Sequence, residues 1–281
     1  MKIVSTEPSQ VLAGRIADAL NISVVDVKFS RFPDGELYLC ANGLEEDMII
    51  VGSVVDNDSL VQLVLLIDAC EGSNNRLVIP YMGYARQDKR FKTGEPVSAR
   101  AISRMLSWGI GRCITVNIHD KRVLSYFKIP ASDVSLSRDI GTHIKDMDLS
   151  DPLILAPDEG AAAFAREVAA IGTWECDHLE KTRISGDEVR MAPRTLSAEN
   201  RPVVIVDDII STGSTIATAA AMLRDHGAGE VFVACVHGVL TGGAYARLKA
   251  AGIKEVVCSD TIERGCSRYS AANRISEALS Q

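Results

Sequence analysis

The chain lacks several features that mark broad classes of protein. Its seven cysteines are an odd number and include no C-x-x-C pair, which argues against a zinc site or a disulfide framework and for reduced thiols. Apolar runs such as residues 63–67 are too short to span a bilayer, and residues 1–12 have no signal-peptide pattern. We therefore expect a cytoplasmic protein with no membrane partner.

Positive charge is also scarce relative to negative charge. The chain has 30 Lys and Arg against 37 Asp and Glu, and its net charge is −7. This balance argues against a general nucleic-acid binder, although a local cationic cluster could still bind phosphate groups. Hydrophobic residues make up 47% of the 281 residues, which fits a globular protein of one large or two modest domains.

Strand-like and helix-like segments alternate along the chain. The strand-like runs are 49–55, 77–80, 113–118, 153–156, 203–206, 231–236 and 256–258, and the helix-like segments are 60–70, 98–108, 160–171, 215–225 and 243–251. This order predicts an α/β fold of parallel sheets flanked by helices. We expect two domains, 1–145 and 146–266, with a C-terminal amphipathic helix at 267–280 that could pack back on the first.

The segment 203–215 is the most informative one in the chain. Four apolar residues predict a strand that is buried on both faces, and Asp207 and Asp208 follow where that strand is expected to end. A loop of Ser, Thr and Gly then leads into a helical pattern. Such a loop at the carboxyl end of a strand favours a phosphate monoester, with the carboxylates on sugar hydroxyls or a metal. The alternative is an ordinary capping loop beside a solvated turn.

Two earlier loops carry candidate nucleotide contacts. Phe32 is an aromatic residue on a turn beside Asp34 and Glu36, where it could stack on a nucleobase while a carboxylate accepts from an exocyclic amine. The run 86–92 is the densest cationic stretch of the chain, and it could bind a polyphosphate. A plain turn and a solvated basic loop are the respective alternatives.

Three further segments, two at strand ends and one in a polar hairpin-like stretch, carry candidate binding or catalytic residues. His119 closes one strand, although a lone histidine can be purely structural. Asp158 follows another strand, in a loop that could cradle a diphosphate or its magnesium ion. Lys181 and Arg183 lie two residues apart, so they would share one face of a strand and suit a transferring phosphoryl group. A surface hairpin is the simpler interpretation of this last segment.

In this order, these segments resemble the ribose-phosphate diphosphokinases, also called phosphoribosyl diphosphate synthetases, over essentially the whole chain. Ordinary phosphoribosyltransferases share the loop at 207–215 but not Phe-Pro-Asp-Gly-Glu at 32–36 or Arg-Gln-Asp-Lys at 86–89. The segment Lys-Thr-Arg-Ile-Ser-Gly at 181–186 looks like the flap of the shorter archaeal-type members. The resemblance implies two phosphoribosyltransferase-like α/β domains. It also implies transfer of the diphosphoryl group of ATP to the anomeric hydroxyl of ribose 5-phosphate, with AMP leaving.

The resemblance further implies a role for each matching residue. It assigns ATP contacts to Phe32, Asp34, Glu36, Arg86, Gln87, Asp88 and His119, magnesium and diphosphate contacts to His119 and Asp158, catalysis to Lys181 and Arg183, and ribose 5-phosphate to Asp207, Asp208, Ser211, Thr212, Gly213, Ser214 and Thr215. Mg²⁺ is the implied cofactor. The implied assembly is a homo-oligomer, at least a dimer, with an ATP site shared between subunits and with no nucleic-acid or membrane partner.

Three positions depart from the family pattern, and two other functions stay open. Ser211 stands where many members have a third aspartate, Glu159 stands where small residues or His are common, and Phe91 interrupts a charged stretch. A nucleobase phosphoribosyltransferase would explain 207–215 but leave 32–36 and 86–88 unexplained. A non-catalytic regulatory homologue is the second alternative, and loss of the flap cations would favour it, but both cations are present.

Overall fold

A computed structural model of the chain describes residues 1–70, 74–185, 188–193 and 198–281, with 181–185 and 188–193 described by their backbone. In chain order its elements are β1 (Lys2–Ser5), α1 (Gln10–Leu20), β2 (Ser23–Val24), β3 (Val27–Arg31), β4 (Leu37–Ala41), β5 (Met48–Val51), α2 (Asn57–Ala69), β6 (Arg76–Ile79), α3 (Ser98–Met105), β7 (Arg112–Val116), β8 (Ala131–Val134), α4 (Ser137–Asp146), β9 (Leu153–Ala156), α5 (Ala162–Gly172), β10 (Cys176–Ser185), β11 (Glu188–Pro193), β12 (Val203–Ile210), α6 (Ser214–Asp225), β13 (Val231–Gly238), α7 (Ala244–Ala250), β14 (Glu255–Ser259), β15 (Ser267–Tyr269) and α8 (Ala272–Leu279).

Contacts divide the chain into two compact units. Unit 1 comprises Met1–Ser135, Asp260–Glu263 and Ser270–Gln281, and unit 2 comprises Leu136–Ser259 and Arg264–Tyr269. Each unit has its own sheet, so the predicted α/β class is confirmed. The predicted domain limits, 1–145 and 146–266, stay a prediction. None of the described helices is both long and apolar enough to cross a membrane.

Unit 1 is built on a six-stranded parallel sheet in the order β2-β1-β5-β6-β7-β8. The strands β3 and β4 form a separate antiparallel hairpin. Apolar side chains of α2, among them Leu63 and Leu66, are fully buried with Ile50 and Leu77 of the sheet. Helix α8 packs on α1 within this unit.

The strand order of unit 1 reverses between β1 and β5, a place where α/β sheets usually bind ligands. Here the chain's own residues fill that place. The N–H of Ser53, just beyond β5, donates to Ser9 Oγ at 2.8 Å, and Ser53 Oγ donates to the carbonyl oxygen of Thr261 at 2.6 Å. All three residues are buried. Buried hydrogen bonds therefore close this place in unit 1.

Unit 2 is built on a seven-stranded sheet in the order β11-β10-β9-β12-β13-β14-β15, parallel except for the antiparallel pair β10–β11. Its strand order reverses between β9 and β12, because β10 lies on the other side of β9. The predicted apolar strand 203–206 is present and fully buried within β12. Asp158 follows β9 and Asp207 lies on β12, so two predicted site residues flank this reversal.

The prediction that the strand ends at Val206 is wrong. Strand β12 continues to Ile210, with Asp207 in register with Cys235 of β13. The reason is that β13 is as long as β12 and keeps pairing with it, whereas the pairing of β12 with β9 stops at Ile205. The predicted C-terminal helix also begins later than expected, at Ala272, because the preceding residues pair with β14 as strand β15.

Candidate functional site

The loop that the sequence predicts to bind phosphate, residues 211–215, joins β12 to α6 and is called the phosphate loop below. Gly213 has φ +70°, and a Cβ at that position would lie 3.1 Å from the side chain of Leu248, so the turn requires glycine. The first turn of α6 closes with the N–H of Ala217 donating to the Gly213 carbonyl at 2.9 Å. The N–H groups of residues 214–216 therefore have no carbonyl partner within the helix, and the side chains of Ser214 and Thr215 are exposed beside them. This arrangement can bind a phosphate.

The phosphate loop is hydrogen-bonded to the loop that precedes α7 and to α7 itself. The N–H of Thr241 donates to the carbonyl of Ser211 at 3.1 Å. Arg247 of α7 donates to the carbonyl of Thr212 and, at 3.1 Å, to that of Gly242. The sequence analysis missed Arg247, because a lone arginine on a helix carries no motif and its partner Thr212 lies 35 residues away.

A pair of carboxylates, Asp207 and Asp208, lies on β12, and Asp158 follows the neighbouring strand β9. Asp207 accepts a hydrogen bond from the N–H of Asp208 at 2.9 Å. Burial, then the charge of Asp208, and to a smaller extent that of Asp158, raise the pKa of Asp207 to about 9. Asp158 is exposed, and its Oδ1 accepts from the N–H of Ala161 at 3.2 Å. The Asp207–Asp208 pair therefore holds a proton at neutral pH, and a cation or hydroxyl donors bound there would displace it.

Strand β10 carries the predicted catalytic cations past the end of β9. It pairs with β9 as far as His178 opposite Ala156, and then continues in an antiparallel hairpin with β11. In that hairpin the backbone of Lys181 pairs with Met191 and that of Arg183 with Val189. Residues 186 and 187, at the tip of the predicted flap, lie outside the described residues.

In unit 1 the predicted adenine contacts lie at the tip of the β3–β4 hairpin. The N–H of Phe32 donates to the Glu36 carbonyl at 2.9 Å, and Gly35 has φ +96°, which makes a tight turn. Phe32 is 49% exposed, and its ring meets Tyr38 edge-on with the ring centroids 5.7 Å apart. Asp34 and Glu36 are exposed beside it. The tip thus presents an aromatic face and two carboxylates to solvent.

The loop after β6 holds Arg86, Gln87 and Asp88 in different environments. Arg86 is exposed. The Gln87 side chain donates to the Pro96 carbonyl and accepts from Ser98 Oγ, both at 3.2 Å, so it braces the loop against the start of α3. Asp88 is buried, and its carboxylate accepts from Arg122 at 2.7 Å. Of the three, Arg86 has the side chain that is most available to a ligand.

His119 lies after β7, in a segment held by two residues that the sequence analysis missed. Arg122 binds Asp120 through two nitrogens, at 2.6 and 3.0 Å, and also binds Asp88, so it joins the His119 segment to the 86–88 loop. Asp133 of β8 accepts from the N–H of Ile118 at 2.9 Å, and burial raises the pKa of its carboxyl. Strand β8 was not predicted, so no sequence signal pointed to Asp133.

The structure thus gathers the predicted residues in two groups. In unit 2, Asp158, Asp207, Asp208, the phosphate loop and the backbone of the predicted flap share one edge of the sheet. In unit 1, the 86–88 loop and the His119 segment are bound together. The predicted metal residues His119 and Asp158 belong to different units. The described residues contain no group of three or more His, Cys, Asp or Glu side chains that could hold a metal ion.

A parallel sheet with an acidic pair and a phosphate loop at its order reversal is the arrangement of the phosphoribosyltransferase class. Residues 124–273 match the family model of the phosphoribosyl transferase domain. Residues 1–108 match that of the N-terminal domain of ribose phosphate pyrophosphokinase. Together these two matches span more than half of the chain.

Full-length relatives agree with the family models. The chain is 46% identical to the ribose-phosphate pyrophosphokinase of Methanosarcina mazei, covering 100% of this chain and 95% of that protein. It is 40% identical to that of Methanopyrus kandleri, covering 99% and 98%. The crystal structure of phosphoribosylpyrophosphate synthetase from Mycobacterium smegmatis matches with a TM-score of 0.85 at 26% identity, covering 99% and 97%. The chain belongs to the ribose-phosphate pyrophosphokinase family, and the resemblance read from its motifs is confirmed.

Proposed function

We propose that this protein transfers the diphosphoryl group of ATP to the anomeric hydroxyl of ribose 5-phosphate, forming phosphoribosyl diphosphate and AMP. The observation that carries the proposal is the edge of unit 2, where the carboxylate pair of β12 and the phosphate loop that follows it lie beside the reversal of strand order. Family membership over the full chain supports the same reaction.

For ribose 5-phosphate, the phosphate would accept from the N–H groups of residues 213–216 and from the hydroxyls of Ser214 and Thr215. The sugar hydroxyls would donate to Asp207 and Asp208, whose mutual repulsion they would relieve. Ser211, in place of a third aspartate, leaves this pocket one negative charge less. The acceptor would thus be held at both its phosphate end and its sugar face.

For ATP, Phe32 would stack on the adenine, while Asp34 and Glu36 would accept from its exocyclic amine. Arg86 would contact the phosphates, with Gln87 and Asp88 shaping the loop that presents it. Both substrates are anionic, so catalysis depends on positioning and on neutralising the transferring group. We assign that neutralisation to Lys181 and Arg183, on the strand that runs past Asp158.

We propose that the magnesium ion binds at the carboxylates of unit 2. Carboxylate oxygens are its preferred ligands, and a bound cation would favour the charged form of Asp207 against the burial and the Asp208 charge that raise its pKa. Asp158 would hold the ion in unit 2, and His119 is proposed separately as a metal contact of unit 1. When bound, Mg²⁺ supplies charge neutralisation for the diphosphate oxygens.

We also propose a homo-oligomer, at least a dimer, with an ATP site shared between subunits. One subunit would contribute Phe32, Asp34 and Glu36, and another would contribute Arg86 and Gln87. The exposed Phe32 at the tip of a hairpin separate from the main sheet supports this assignment. An exposed aromatic side chain on such a tip is a candidate contact with a partner surface.

The deciding experiment measures AMP and phosphoribosyl diphosphate formed from ATP, ribose 5-phosphate and Mg²⁺. We expect both products in equal amounts. A nucleobase phosphoribosyltransferase would instead consume phosphoribosyl diphosphate with a free base and make no AMP from ATP. A regulatory homologue would bind the substrates and form neither product. Either of these outcomes would refute the proposed reaction.

A further inference from the structure

We propose that Arg247 is a positioning residue that keeps the phosphate loop in its anion-binding conformation, acting through the peptide bond between Thr212 and Gly213. The inference rests on the proposed function, because it takes the phosphate loop to be the site for ribose 5-phosphate. Arg247 is not itself assigned a contact with the substrate.

One guanidinium group joins the two loops at this edge of the sheet. Nη1 of Arg247 donates to the carbonyl of Thr212, which follows β12, and Nη2 donates to the carbonyl of Gly242, which follows β13. Leu248, the next residue of α7, is fully buried against Gly213. Helix α7 thus contacts the same turn by a charged group and by an apolar one.

Because the peptide bond is trans, the hydrogen bond from Arg247 to the Thr212 carbonyl also sets the direction of the Gly213 N–H. The peptide bond between Thr212 and Gly213 is trans, so the Thr212 carbonyl and the Gly213 N–H point in opposite directions. With the carbonyl directed to Arg247, the Gly213 N–H points away from α7, where it adds to the N–H groups that open α6. If this peptide rotated by half a turn, a carbonyl oxygen would replace an N–H and would repel the anion.

The peptide needs such a restraint because of the residue that follows it. Gly213 has φ +70°, and glycine accepts positive and negative φ at similar cost, so its own sterics do not forbid the rotated state. The carbonyls on either side are held by backbone hydrogen bonds, because that of Ser211 accepts from Thr241 and that of Gly213 accepts from Ala217. The Thr212 carbonyl between them is held by the side chain of Arg247.

The chain offers a matched control on the same helix. Lys249 is exposed like Arg247, carries the same charge and also donates to two backbone carbonyls, those of Ile253 and Lys254, at 3.1 and 2.6 Å. Neither of those carbonyls belongs to the phosphate loop. Replacing Lys249 therefore removes an equal charge and an equal number of hydrogen bonds without touching the loop.

The test compares Arg247→Met with Lys249→Met by steady-state kinetics and by calorimetric titration with ribose 5-phosphate. In Arg247→Met the Gly213 N–H would no longer be held toward the phosphate, which weakens one hydrogen bond to a charged ligand. KM and Kd for ribose 5-phosphate should therefore rise by about ten- to a hundredfold. KM for ATP should stay within about twofold, and Lys249→Met should change neither constant by more than about twofold. If Arg247→Met does not fold, Arg247→Lys replaces it, with an expected rise in KM for ribose 5-phosphate above about threefold.

Two results would overturn the inference. One is a KM and Kd for ribose 5-phosphate in Arg247→Met equal to those of Lys249→Met. The other is an equal rise in KM for both substrates together with a lower melting temperature, which would mean a general structural role. The titration needs no turnover, so it separates the two claims: a wild type that makes no AMP refutes the reaction, while the Kd of the variants still decides the role of Arg247.

Discussion

Replacing Asp207 by Asn should stabilise the ligand-free protein, and the gain should grow with pH. The native carboxyl has its pKa raised from 3.8 to about 9. Between these two values the native state keeps a proton that the unfolded chain has released. The native state therefore binds more protons than the unfolded state, and the free energy of unfolding falls as pH rises. Asparagine does not titrate, so the variant escapes this loss.

The size of the effect follows from how steeply the free energy of unfolding changes with pH. One proton that is bound in the native state and absent in the unfolded state costs about 1.4 kcal/mol per pH unit. From about pH 5.5 to about pH 7.5, both inside the window, the wild type should lose up to about 2.7 kcal/mol relative to Asp207→Asn. This is an upper limit, since Asp207 keeps part of its surface in solvent. At about 3 °C per kcal/mol, the melting temperatures should diverge by up to about 8 °C.

The assay is thermal unfolding of the ligand-free proteins by circular dichroism at several pH values across this range. Titrating groups that do not interact with Asp207 cancel in the difference, which therefore reports on the Asp207–Asp208 pair. Asp225→Asn, at the exposed end of α6 in the same unit, is the control for the Asp-to-Asn change itself. A difference between Asp207→Asn and wild type that stays constant with pH would show that the carboxylate pair holds no extra proton.

Four further predictions address the reaction. Lys181→Ala should lower kcat at least about 100-fold with little change in KM, because a preorganised cation acts on charge developing in the transition state; near-normal turnover would remove Lys181 from the mechanism. Asp208→Asn should weaken ribose 5-phosphate binding in an intact fold, and unchanged affinity by calorimetry would contradict the assignment. Mixing inactive Phe32→Ala with inactive Arg86→Ala should restore some activity through one intact shared site; no recovery after proven subunit exchange would exclude the shared site. Arg122→Met should raise KM for ATP more than KM for ribose 5-phosphate, because it frees the 86–88 loop from the His119 segment; equal changes in both would contradict this.

The sequence alone determined the fold class and indicated the segments of the candidate site. The alternation of apolar runs and amphipathic stretches depends on local periodicity, which the chain carries without reference to tertiary contacts. The Gly213 turn and the Phe32 turn are also local, because their residue types are those that such backbone conformations require. Motif order was enough to indicate the family, since it places several such turns in one succession.

Only the tertiary structure decided how far β12 extends and which side chains support the site. Asp207 and Asp208 lie within the strand because β13 continues beside it and β9 does not, a matter of neighbouring strand lengths. The raised pKa of Asp207 depends first on burial, then on the charge of Asp208, and least on that of Asp158 after β9. Arg247 reaches Thr212 across 35 residues and Arg122 reaches Asp88 across 34. Contacts of that range are set by the packing of whole elements, and no local pattern in the chain records them.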